Sequence, residues 1–193
     1  MSVNLYDVIN AGYSNNNKRA NAFKNQGYVY DSDLSNINNA VWFNPSDKKL
    51  LMSVKGTDMT SLRDIGTDLF LAGGHLKDTN RYKESKTILD KAKQRYKPSE
   101  TTFGSHSLGG SISQYIASKN DKVYTLDKGA TIGQKTRRNE TAYRTEGDYV
   151  SLLNANSKRM KTLKNPYIQT GNVLIDGYNA HDTKNIKDAN IFI

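Results

Sequence analysis

The sequence predicts an α/β fold, with a mostly parallel central sheet flanked by helices, and three observations carry that prediction. Short apolar runs of strand type alternate with longer runs whose apolar residues recur at helical spacing. One junction, residues 101–116, reads as strand, tight turn and helix in immediate succession. The chain has 193 residues, 36% hydrophobic and 24% charged, which is enough for one core and short for two. A single domain over residues 1–193 is expected, with no internal repeat and no linker to mark a second.

In chain order, residues 1–39 are expected to be a polar N-terminal extension packed on that domain. Asn15, Asn16 and Asn17 in a row, and Asn36, Asn38 and Asn39 close together, predict loops around at most one short helix. AVWF (40–43) and KLLMSVKG (49–56) are extended runs separated by Pro45, Ser46 and Asp47, all turn formers, and predict a hairpin. Leu62, Ile65, Leu69 and Phe70 then recur at helical spacing up to Gly73-Gly74. Ile88, Leu89, Ala92 and Tyr96 form a second stripe, which Pro98 closes. TTFG (101–104) is a short strand that leads into SHSLGG and a helix with Ile112, Tyr115 and Ile116 on one face. KVYTL (122–126), DYVSLL (148–153) and NVLI (172–175) predict three more strands, with a basic polar stretch from Ala155 to Lys164.

Composition removes several chemistries. Zero cysteines exclude disulfides, thiolate nucleophiles and Cys-based zinc clusters. The three histidines, His75, His106 and His181, stand at unrelated spacings, so neither a metal site nor a cofactor is expected. Mean hydropathy is −0.74, and no run approaches the roughly 20 apolar residues of a membrane-spanning helix. The first residues carry neither a basic n-region with an apolar core nor a small-residue cleavage site. The expectation is therefore an intracellular protein, or one carried in a virus particle. Lys plus Arg is 28 against 19 acidic residues, a formal charge of +9, which attracts anionic partners without naming one. Pattern gives no oligomeric state.

The informative junction is Ser105-His106-Ser107-Leu108-Gly109-Gly110. A serine on a tight strand-to-helix turn projects its hydroxyl clear of the backbone, and the helix N-terminus behind it offers N–H groups to a developing oxyanion. Ser107 fits the nucleophile place of G-x-S-x-G with Gly109 two positions on, while Ser105 stands in place of the first glycine. The same string also reads as a helix cap with Ser105 or Ser107 at the N-cap. A serine nucleophile needs a base and an orienting acid, in the chain order Ser, acid, His on α/β-hydrolase folds. His181 alone among the histidines follows Ser107, whereas His106 reads as a packing or rim residue and His75 as surface loop. Asp148 is the first choice of acid, Asp127 at the end of KVYTL is its rival, and Asp176 is a third candidate. For the oxyanion, the Leu108 amide follows the nucleophile, and Gly56-Thr57 at the end of an earlier strand is the candidate for the second donor. That segment also reads as an ordinary strand-to-loop turn.

Three stretches resemble the class 3 lipase family, the fungal-lipase-like branch of the α/β hydrolases. VKGTDMTSLRDIGTDL (54–69) looks like the family's oxyanion strand and following helix, with Lys55 where the family has arginine and without its tryptophan. FGSHSLGGSIS (103–113) looks like its Gly-His-Ser-Leu-Gly-Gly elbow with the first glycine changed to Ser105. GDYVSLL (147–153) is similar to its Asp-x-Val acid segment, and Ala180-His181 falls where its histidine does. The resemblance spans about residues 40–185 and implies a compact α/β-hydrolase fold, Ser107 as nucleophile, Asp148 as acid, His181 as base, and Thr57 with Leu108 as the oxyanion hole.

What the resemblance implies is a serine carboxylic-ester hydrolase, lipase or phospholipase-like, acting on a lipid or small ester through an acyl-enzyme, with no cofactor. The short stretch between Gly-Thr and the elbow leaves little for a large lid, which suits small or headgroup-exposed esters. The alternative is a lipase-fold protein without turnover, docking on an anionic partner through Lys135 to Arg144 and Lys158 to Lys164. The same lysines would allow peripheral contact with an anionic membrane; nucleic acid is not the expected partner.

Overall fold

The computed structural model describes residues 2–57, 75–129, 134–151, 159–166 and 170–193. Within them, β1 (Val29–Tyr30), β2 (Asn39–Asn44), β3 (Lys49–Val54), β4 (Glu100–His106), β5 (Lys122–Leu126), β6 (Glu140–Thr145) and β7 (Met160–Leu163) form one sheet in chain order. β1, β2 and β3 pair antiparallel, and β3 through β7 pair parallel. The hairpin between β2 and β3 is closed by Asn44, whose Oδ1 accepts the amides of Ser46 and Asp47 at 3.0 Å each. Parallel neighbours need a crossover instead. The helix Asn80–Tyr96 lies in the connection from β3 to β4, and the helix Leu108–Ile116 connects β4 to β5.

Period-two alternation sends the strand side chains to two cores. Val41, Leu50, Met52, Val54 and Phe103 face one side, where Leu89, Ala92, Ile112 and Ile116 of those two helices cover them. Ala40, Trp42 and Leu51 face the other, against Val3, Val8, Ala11 and Phe23. A sheet covered on both faces explains why β3 and β4 are buried almost throughout. The fold is thus a compact α/β-hydrolase-like one, a mixed seven-stranded sheet flanked by helices, with its parallel part at the β4–helix junction that holds Ser107.

Residues 2–39 hold more helix than the asparagine runs suggest. Helices α1 (Leu5–Gly12) and α2 (Asn16–Asn21) both start on asparagines, Asn4 accepting the Tyr6 amide at 2.9 Å and Asn15 that of Lys18 at 3.0 Å. Asparagine is a strong N-cap as well as a loop former, and here the cap wins. α1 buries Leu5, Val8 and Ile9. The Trp42 indole, fully buried, donates to the Arg19 carbonyl at 2.8 Å, and its ring meets Phe23 edge-on at 5.1 Å. Behind α1, Val3 and Ile193 exchange backbone hydrogen bonds of 3.1 and 2.9 Å.

The helices after α2 are α3 (Asn80–Tyr96), α4 (Leu108–Ile116) and α5 (Val173–Ala180). α5 replaces the strand expected at 172–175, because three apolar residues fit either period and the run continues into a helical turn. Asp148 to Ser151 form a turn in place of the expected strand: the Asp148 carboxylate accepts the amides of Val150 at 3.1 Å and Ser151 at 2.8 Å, curling the chain at its own position. β6 and β7 lie in polar sequence, ETAYRT and MKTL, that carries no strand pattern. The helix expected over 62–70 lies outside the described residues.

Candidate active site

β4, the middle strand of the seven, delivers Ser107 to the carboxyl end of the parallel strands. The residue takes φ 55° and ψ −130°, a region that costs a non-glycine residue about 1–3 kcal/mol, and its side chain makes no capping bond to α4. The backbone is held there by the Ser107 amide donating to the Leu126 carbonyl at 3.0 Å, and by the Ser107 carbonyl accepting the Gly110, Gly129 and Ser111 amides at 2.9, 3.1 and 3.4 Å. Gly109 is required by close approach, since a Cβ there would lie 2.0 Å from the Val54 carbonyl oxygen. β3 and the turn therefore meet backbone against backbone. Ser105, where a glycine was expected, is fully buried; its hydroxyl accepts the Val54 amide at 3.2 Å and shares a 2.7 Å bond with Ser113. The extra side chain is absorbed as a polar tie between β3, β4 and α4.

The loop after α5 brings His181 to the turn. Its Nε2 lies 3.0 Å from Ser107 Oγ and its Nδ1 2.8 Å from Asp148 Oδ1, and all three side chains are buried. With Asp148 ionised, Nδ1 carries the proton and Nε2 accepts from the serine hydroxyl. Burial opposes charge on Asp148, but the His181 hydrogen bond and charge, with the Ser151 amide, hold its carboxyl below the usual carboxylate range. Burial likewise presses on the His181 imidazole, and the bond to Asp148 and its charge outweigh this and raise it above its ordinary value.

The rival acid lies close by without reaching the imidazole by a hydrogen bond. Asp127 accepts the Thr145 amide at 2.6 Å and the Thr145 hydroxyl at 2.9 Å, and burial together with the Asp148 charge pushes its carboxyl up to about 8. Asp176 serves the start of α5, accepting the Thr170 and Gly171 amides at 2.7 and 3.1 Å. His75 is exposed and pairs with Asp78 at 3.3 Å.

At the end of β3, Gly56 and Thr57 run past the turn. A Cβ on Gly56 would meet the Tyr13 hydroxyl at 2.6 Å and Ser107 Cβ at 3.0 Å. Thr57 Oγ1 is buried with no hydrogen-bond partner among the described residues. Leu108 opens α4, where an amide has no carbonyl to bond within its own helix. Two residues beyond the sequence candidates complete the site. Tyr13, from the turn after α1, receives the Gly56 amide at 2.9 Å and lies 3.1 Å from His106 Nδ1, while His106 Nε2 lies 3.0 Å from the His181 carbonyl. The expectation of loops around at most one short helix gives Tyr13 no role; the amphipathic LYDVINAG before it is the available signal.

His106, Asp127 and His181 group their ligand-type atoms within 4.8 Å of one another, a spacing that invites a metal reading. Each of those atoms is already engaged: both nitrogens of each histidine, and both Asp127 oxygens, lie in the bonds just given. The cluster fits a hydrogen-bonded site and not a cation. Beside it opens a cavity of about 280 Å³, with Tyr13 on one wall, Tyr178, Asp182 and Thr183 on the other, and the two histidines between.

No family model matches the chain, and a comparison with curated proteins finds no match. Among solved structures, the chain is similar to a fungal lipase in complex with an inhibitor, at 15% identity and a TM-score of 0.46, covering 65% of this chain and 60% of that one. It is similar to a mutant of MDLA from Penicillium cyclopium, at 14% identity and a TM-score of 0.46, covering 86% and 79% of the two chains. It is also similar to a triacylglycerol lipase from Penicillium expansum, at 15% identity and a TM-score of 0.43, covering 83% and 79%. The chain spans 60% of the length of the first of these proteins.

Proposed function

We propose that the chain is a serine carboxylic-ester hydrolase of lipase or phospholipase type, working through an acyl-enzyme. The observation that carries the reading is the unbroken chain Ser107 Oγ to His181 Nε2 to Asp148, at 3.0 and 2.8 Å, built on a positive-φ turn. Ser107 Oγ attacks the ester carbonyl carbon as His181 Nε2 takes its proton. Asp148 accepts the Nδ1–H and offsets the imidazolium charge. The bond to the alcohol breaks as Nε2 returns the proton to the leaving oxygen, and water repeats the two steps in reverse to release the acid.

The amides of Leu108 and Thr57 are the donors assigned to the oxyanion. The Thr57 hydroxyl, buried and without a partner among the described residues, adds a further donor beside that amide, because a buried polar atom is costly unless something supplies its hydrogen bond. The adjoining cavity, of about 280 Å³, reaches the His181 side of this arrangement.

The test is labelling with a fluorophosphonate, read by intact mass. One adduct on the wild-type protein, absent from Ser107→Ala and His181→Ala, is expected. A folded wild-type protein that takes no adduct would overturn the reading and leave a hydrolase fold that acts by binding.

A further inference from the structure

We propose that Tyr13 and His106 are positioning residues that fix the base and the oxyanion loop against the nucleophile turn; the inference rests on the function proposed for Ser107 and His181. The directions of the hydrogen bonds carry it. The Gly56 amide donates into the Tyr13 hydroxyl oxygen at 2.9 Å, so the phenol proton points to His106 Nδ1, 3.1 Å away. That nitrogen is then the acceptor, and the His106 proton sits on Nε2, where it donates to the His181 carbonyl at 3.0 Å. The carbonyl of His181 can only accept, which independently sets the His106 proton on Nε2.

The chain joins four segments that are remote in sequence: the turn after α1, the end of β3, the last residue of β4 and the loop after α5. Bonding of the Gly56 amide fixes the Lys55–Gly56 peptide, one residue before the Thr57 amide assigned to the oxyanion. Bonding of the His181 carbonyl fixes the backbone from which the imidazole reaches Ser107 and Asp148. Both anchors converge on β4, which carries Ser107, so the three working groups are referenced to one strand.

The neutral state of His106 is part of this function. Its ring centroid lies 4.6 Å from that of His181, and a cation there would oppose the imidazolium that the reaction generates. Full burial and the His181 charge hold the His106 pKa down, in keeping with the acceptor role of Nδ1. The Tyr13 ring faces Lys55 Nζ at 5.3 Å, so removal of the hydroxyl alone leaves that packing in place.

The experiment measures the second-order rate constant of fluorophosphonate labelling, and separately the final labelled fraction, for wild type, Tyr13→Phe, His106→Gln and His106→Leu. Tyr13→Phe is expected to slow the rate constant about 10-fold or more while the final labelled fraction stays complete. His106→Gln keeps an N–H donor near the Nε2 place and is expected to retain most of the rate that His106→Leu loses. A purely structural role would lower the final fraction and leave the rate constant of the folded protein unchanged; that result overturns the proposal. Equal rate constants for wild type and Tyr13→Phe, or for His106→Gln and His106→Leu, overturn it as well, with the function of Ser107 intact. Absence of labelling in the wild type overturns both.

Discussion

His106 and His181 lie face to face with ring centroids 4.6 Å apart and planes tilted by 42°, yet their surroundings prepare them for opposite charge states. His106 is pressed down to about 3 by burial and by the charge of its neighbour, and touches no carboxylate within hydrogen-bond distance among the described residues. His181 has Asp148 on Nδ1 and is held above its ordinary value of 6.5 in spite of burial.

That difference predicts the pH dependence of labelling. Serine attack needs neutral His181, so the rate rises with pH as the imidazolium loses its proton, with a midpoint above 6.5. Asp148→Asn removes the hydrogen bond and charge that raise this group while burial remains, so the midpoint moves to lower pH. The same substitution is expected to cut the maximal rate by about 10³–10⁴-fold. A pH profile of the labelling rate for both proteins checks the two effects.

Asp127 makes a prediction about stability. Its folded pKa is raised from 3.8 to about 8, so between those values the folded chain holds a proton that the unfolded chain has released. Stability is therefore greatest at the acid end of that window and falls as pH rises through it. Asp127→Asn keeps an acceptor for the Thr145 amide and an N–H for the Thr145 hydroxyl, and carries no charge. It is expected to flatten the pH dependence and to stabilise the protein by on the order of 1 kcal/mol or more at pH 8. Denaturant unfolding at pH 5 and pH 8 measures this.

Gly109 predicts a failure that helix propensity alone would not. In an exposed helix interior, alanine is preferred to glycine by about 1 kcal/mol. Here the added carbon would sit 2.0 Å from the Val54 carbonyl oxygen and 2.7 Å from that of Lys55. Gly109→Ala is expected to destabilise by at least about 2 kcal/mol and to lower the labelling rate by pushing β3 away from the turn. Thermal unfolding and labelling of the same sample check both.

Lys128 and Glu140 form a fully buried pair at 2.7 Å, with Gln114 and Thr125 also bonded to the carboxylate. Removing one partner leaves a buried charge, so Lys128→Met is expected to cost about 3–5 kcal/mol. Replacing both, with Glu140→Gln added, is expected to recover much of that loss. A double-mutant cycle by denaturant unfolding measures the coupling.

Much of the fold is legible in the sequence where two signals agree. AVWF and KLLMSV are short extended apolar runs split by the turn formers Asn44 to Asp47, and they form the hairpin β2–β3. The turn at SHSLGG is legible because strand pattern, small residues and helix pattern meet within a few positions. Elements whose burial depends on distant partners are not. ETAYRT becomes β6 because Glu140 finds Lys128 and Ala142 pairs with Thr125 of β5 and Met160 of β7, facts that no local period records. DYVSLL misleads because the Asp148 side chain competes with the strand for the amides that follow it. The pairing of Tyr13 with Gly56 and His106 depends on where α1 docks, which the sequence leaves open.

Trp42 is the single tryptophan of the chain, and it is sealed between the sheet and the N-terminal layer, with its indole N–H on Arg19 and its ring against Phe23 and Tyr30. Emission excited at the red edge of the protein band therefore comes from one site, under the layer whose α1 leads into Tyr13. A red shift of that emission reports detachment of this layer, while far-ultraviolet ellipticity follows the sheet and helices as a whole. The two optical signals separate loss of the Tyr13 anchor from loss of the fold, without any added dye.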